Sequence, residues 1–80
     1  MANALFLVKA MYQSPAHQVQ TWRRNTIVPV SLTGEVFEDM TRADDAMTVA
    51  IRLALTDIGM KEGVPTVKIS VDVMSSQIIP

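Results

Sequence analysis

The sequence predicts an α+β domain of element order β-β-α-β: a three-stranded antiparallel sheet in the order 2-1-3, with one helix packed on one face. Three observations carry this. Two apolar stretches, residues 4–12 and 19–32, flank a short polar turn. Residues 41–59 repeat apolar side chains at helical spacing, and residues 66–74 alternate apolar and polar with period 2.

The first strand, "ALFLVKAMY", is apolar on both alternating sets, with Phe6, Val8, Ala10 and Tyr12 on one and Leu5, Leu7, Lys9 and Met11 on the other. A strand buried on one face and partly covered on the other reads this way. "QSPAHQ" supplies the turn, with Ser14-Pro15 as its strongest signal. The second strand, residues 19–32, puts Trp22, Thr26, Val28, Val30 and Leu32 on one face and Val19, Thr21, Arg23, Asn25 and Ile27 on the other. Pro29 cannot donate to a ladder, so this strand belongs at an edge or bulges there.

Thr33-Gly34 breaks the pattern, and "EVFEDM" either finishes the strand or leads into the next element. The helix is expected over residues 41–58, N-capped by Thr41 with Asp44 in the capping-box position and stopped by Gly59. Ala43, Ala46, Met47, Ala50, Ile51, Ala54 and Ile58 form its apolar stripe, and the small residues let it lie close on a sheet. Thr48, Arg52 and Asp57 face the other way, and Met40, Met47 and Met60 read as packing around the helix. In the third strand Val67, Ile69, Val71 and Val73 oppose Lys68, Ser70, Asp72 and Met74. Ile78-Ile79 either prolong it or pack on a neighbour.

Handedness fixes the order of these strands. A hairpin sets strand 2 against strand 1, and a right-handed crossover through the helix places strand 3 on the far side of strand 1. The doubly apolar strand is then central and Pro29 lies on an edge. The helix covers one face, which leaves Leu5, Leu7, Met11 and Ile27 on the other, more apolar area than a lone soluble monomer usually exposes. These four residues are the expected oligomer interface, and a homodimer is the expected state.

Eighty residues suit a single compact domain, residues 1–80, that buries only around 60% of its unfolded surface. With no cysteine and one histidine, neither disulfides nor the usual zinc-ligand sets can assist it, so no metal and no cofactor is expected and oligomerisation is the remaining help. No apolar run reaches the ~18 residues of a membrane span, and "ALFLV" follows no basic segment, so the expectation is a cytoplasmic protein without membrane contact. Charge is uneven. Residues 1–34 hold three bases and no acid, +3, and the remainder holds four bases against eight acids, −4, which together give the net −1.

The residues needed for catalysis are sparse. His17, in the turn, is the single candidate base, and the carboxylate pairs Glu38-Asp39 and Asp44-Asp45 sit at a helix start, where the dipole and solvent account for them. Gly34, Gly59 and Gly63 form no phosphate loop. The chain reads as a non-enzyme. Recognition concentrates at Trp22, Arg23 and Arg24, with Lys9, the expected partner-binding set. In the structural reading of the same residues, Trp22 caps the sheet-helix core, Arg24 runs past it and Arg23 pairs with an acid of the helix start.

Two functions are expected on this basis. The first is a non-enzymatic protein-binding module, an inhibitor or assembly factor that covers a surface of a larger partner. The second is a small dimeric nucleic-acid-binding protein using Trp22, Arg23, Arg24 and Lys9, although a pI near 5.6 is low for a dedicated binder. In size and architecture the chain resembles the one-domain inhibitors of phages and mobile elements, some anti-CRISPR proteins among them. That resemblance implies an anti-defence role exerted by covering a surface, without catalytic residues.

Overall fold

A computed structural model describes residues 2–14 and 16–79. Strand β1 (Ala2–Gln13) and strand β2 (Val19–Val30) are followed by helix α1 (Val36–Glu62), a 3-10 turn (Thr66–Lys68) and strand β3 (Ile69–Ile79). The sheet order is β2-β1-β3, with both pairs antiparallel. The fold is therefore the α+β arrangement that periodicity and handedness predict.

Lengths match across the layers. Twelve strand residues at ~3.3 Å span about 40 Å, and the 27-residue helix at ~1.5 Å per residue spans the same distance. The molecule is accordingly long and thin, 48 × 17 × 16 Å. On the sheet face toward α1, Ala4, Phe6, Val8, Val28 and Val30 pack against Ala46, Ala50 and Ala54, while Ala10, Tyr12, Ile58 and Val64 form a second cluster at the far end. The alanines at fourfold spacing put only methyl groups between this stretch of the helix and the sheet, which keeps the layers close. Burial, and after it the negative charge of the Glu62 carboxylate, raise the Tyr12 phenol above its ordinary value of 10.0.

Both ends of the helix differ from expectation. Its cap is Glu35, whose carboxylate accepts the N–H of Phe37 at 3.2 Å and of Glu38 at 2.7 Å, so "EVFEDM" is its first turn. Asp39 secures this start by accepting the Thr33 N–H and hydroxyl and the Gly34 N–H at 2.7, 2.9 and 3.0 Å. Those bonds, the Thr33 N–H foremost, hold its carboxyl below 3.8. Thr41 is interior and turns its hydroxyl back onto the Phe37 carbonyl at 3.1 Å. At the other end Gly59 is also interior, and its carbonyl receives the N–H of Gly63, the C-cap, at φ 67. Only a left-handed residue closes the helix this way, which favours glycine.

Three smaller expectations change. β2 stops at Val30, leaving Leu32 exposed beyond it. Val67 lies in the 3-10 turn and is 91% exposed instead of pointing inward. Met40 and Met60 project into solvent, whereas Met47 packs on the core as expected.

Strand β3 does run on through Ile79, with one extra residue on the way. Leu7 pairs with Ser75 and Val8 with Val73, which leaves Met74 as a bulge. The alternation thereby changes phase: Ile69, Val71 and Val73 share the helix side with Ser76 and Ile78, while Ser70, Asp72, Ser75, Gln77 and Ile79 lie on the open side. Pro15 of the turn lies outside the described residues.

Candidate functional site

Trp22 lies opposite Ala10 in the β1-β2 register, which assigns its ring to the helix side. There it touches both core clusters and joins them. The indole N–H, partly buried, needs an acceptor and donates to Asp57 Oδ2 at 3.2 Å. Two residues further along β2, Arg24 points the same way. Its guanidinium stands 5.3 Å from the centre of the Trp22 ring and 3.6 Å from Asp57. Lys61, one turn along α1, reaches the other Asp57 oxygen at 3.2 Å.

Asp57 is thus the hub, with its side chain only 21% exposed. Desolvation between helix and sheet works to raise its carboxyl, but the bonds from Lys61 and Trp22 and the charges of Lys61 and Arg24 outweigh it and hold the group below 3.8. The cluster is a ring, an acid and two bases, locked to one another. It can orient a neighbouring chain and present charge, but it has no free base beside a nucleophile.

A groove opens next to this cluster along the outer edge of β2. Trp22, Arg24, Thr26 and Ile27 form its strand wall, and Leu53, Asp57 and Met60 its helix wall. A second hollow continues it between the end of β2 with Ser31 beyond it and residues 42–49 of α1, ending near Val49. Val49, Leu53 and Met60 recur at helical spacing and are all exposed, Leu53 at 52% and Met60 at 81%.

Not all of the sequence-predicted residues meet here. Trp22 and Arg24 do, but Lys9 and Arg23 pair with each other across β1 and β2 on the opposite side of the sheet, together with Leu5, Leu7, Met11 and Ile27. Arg23 consequently reaches no acid of the helix start; Glu38 pairs instead with Arg42 at 3.0 Å. Leu5 and Leu7 are partly buried on that side, and Met11 and Ile27 are exposed. His17 is an exposed turn residue at φ 63. Among the described residues no three of His, Cys, Asp or Glu gather as a metal site would require, and no helix is long and apolar enough to cross a membrane.

Leu53 and Met60 were not expected in a site, and Asp57, expected on the outward side of the helix with Thr48 and Arg52, instead faces the sheet and meets Trp22. The Asp57–Lys61 spacing of four was a signal for an ion pair, but the contact with Trp22 joins residues 35 apart and left no local trace. Comparisons with protein families, curated proteins and solved structures return no match to this chain.

Proposed function

We propose that the protein is a non-enzymatic protein-binding module that takes an extended segment of a partner protein into the groove between β2 and α1, as an inhibitor or assembly factor would. The observation that carries this is the groove itself, an unpaired strand edge facing an apolar helix stripe. The free edge of β2 offers alternating N–H and C=O groups from Val19 until Pro29, which has no N–H, ends the run. An added strand takes its affinity from those groups and its specificity from side-chain contacts. Here alternate side chains of the guest meet Leu53, Met60 and the rim of Trp22, so the favoured guest is apolar at every second position.

The nucleic-acid reading has less support. Stacking needs a ring on the accessible sheet face, whereas Phe6, Tyr12 and Trp22 all lie on the side that α1 covers. Arg24, the cation beside the ring, is engaged by Asp57.

Selection of displayed random peptides of about 12 residues tests the proposal, since a strand of that length fills an edge of ~40 Å. The expected winners alternate apolar residues, lose binding to Leu53→Asp, and lose it again when alternate backbone amides of the peptide are methylated. Failure to enrich any peptide, or winners indifferent to Leu53→Asp and to methylation, overturns it. Binding of random-sequence oligonucleotides that weakens steeply with salt favours the nucleic-acid reading instead.

A further inference from the structure

The sheet face turned away from α1 carries one row of charge across all three strands. Register sets Arg23, Lys9 and Asp72 side by side in the order β2, β1, β3. Among the described residues the ion pairs join Asp57 to Arg24 and Lys61 and Glu38 to Arg42, so these three are unpaired. Along β1, Leu5 and Leu7 flank the row on one side and Met11 on the other, with Ile27 next to Leu5, 61% exposed.

We propose that this face binds a second copy of the chain as a symmetric sandwich whose two-fold axis runs along β1, setting Arg23 of each copy on Asp72 of the other. Two sheets stacked face to face by a two-fold axis in the plane between them have two simple choices of axis. With the axis across the strands, each strand lies over its own copy, and Arg23 meets Arg23 while Asp72 meets Asp72. With the axis along β1, β2 of one copy lies over β3 of the other and the row becomes self-complementary at both ends. The second choice replaces two like-charge contacts with two opposite-charge contacts.

The row is also well placed for this. Aligned sheets cross at about −30°, so only positions near the crossing stay in register, and Lys9 lies close to the middle of β1. The two Lys9 side chains then meet near the axis, each with an Asp72 as its strand neighbour. Leu5, Leu7 and Met11 of one β1 fall on the β1 of the other copy, which covers the apolar stripe that α1 leaves open.

Three strands about 12 residues long, at ~3.3 Å per residue and ~4.8 Å apart, make a face of roughly 40 × 14 Å. Two such faces in full register remove about 1,100 Å² from water, and a −30° crossing reduces this to roughly 800 Å², so the contact is a small one whose partner choice rests on the charge row. The groove beside β2 and α1 opens toward the helix side and shares only Asn25 and Ile27, at the β2 edge, with this face, so one molecule can hold a second copy and a guest strand together.

Sedimentation equilibrium over a micromolar concentration series tests the arrangement on the unaltered chain, Arg23→Asp, Asp72→Arg and the double exchange, with circular dichroism verifying that each is folded. The unaltered chain should be a dimer. Each single reversal should weaken association roughly a hundredfold, because symmetry presents every like-charge contact twice, and the double exchange should restore it. Arg52→Asp, on the outer face of α1, should leave association unchanged. A chain that stays monomeric throughout, a dimer indifferent to both single reversals, or a double exchange that fails to recover overturns the proposal. Because Arg23 and Asp72 lie outside the groove lining, loss of the dimer through either reversal should leave peptide binding to Leu53 and Met60 intact.

Discussion

Adjacent arginines with different surroundings make the residue scale informative. Arg24 stacks on Trp22 and touches Asp57, while Arg23 stands on the open face. Arg24→Ala should therefore lower stability by about 0.5–1 kcal/mol through the lost ring contact, and Arg23→Ala should change it by much less; urea unfolding separates the two. Trp22→Ala should cost about 3 kcal/mol, the low end for a large aromatic because the ring is only partly buried. That is a large share of the roughly 4–12 kcal/mol expected for 80 residues. Acid should expose the carboxylates. Asp39 and Asp57 have folded-state values below 3.8, so their contribution is complete above the unfolded value and disappears as pH falls through the folded one. Stability measured from pH 6 downward should thus begin to fall around pH 4, and Asp39→Asn should flatten that limb; an unchanged slope contradicts the Thr33 and Gly34 contacts.

At the scale of elements, two glycines mark where the helix ends. Gly59 is interior and a Cβ there would meet only the Val64 carbonyl oxygen at 3.7 Å, so Gly59→Ala should stabilise by about 0.5–1 kcal/mol. Gly63 holds φ 67, and Gly63→Ala should destabilise by about 1 kcal/mol. Opposite signs in thermal melts are the expected outcome. The bulge gives a second case. Removing Met74 joins Val73 to Ser75 with the faces of both halves unchanged, so the deletion should fold with the same core, although losing a residue inside a strand normally inverts everything beyond it. Strand order, the central strand and the alanine stripe were readable in the sequence because period and chirality act locally or through simple geometry. The helix ends were less so. Glu35 is outside the usual capping set, whereas "KEGVP" did hold the late stop, with Lys61, Gly63 and Pro65 at their favoured places. The phase change at Met74 had no sequence mark, since it answers to the partner strand.

For the whole molecule, a single layer of core between sheet and helix leaves stability open to assistance by association. If the open face binds a second copy, the melting temperature should rise with protein concentration, and Leu7→Asp should remove that dependence; a melting temperature independent of concentration in the unaltered chain argues against the dimer. The central position of β1 has another consequence, in time instead of space. Its hairpin with β2 is a local structure that forms within microseconds. Its other neighbour, β3, pairs Asn3 with Ile79, so that edge must wait until 76 further residues have been made. A nascent chain ending at β2 thus carries its most apolar strand with one edge unpaired and no helix over it, a surface prone to join other nascent chains. Completion of α1 and β3 removes the hazard only once Ile79 has been made, and chains truncated within α1 should aggregate where the 80-residue chain stays dispersed.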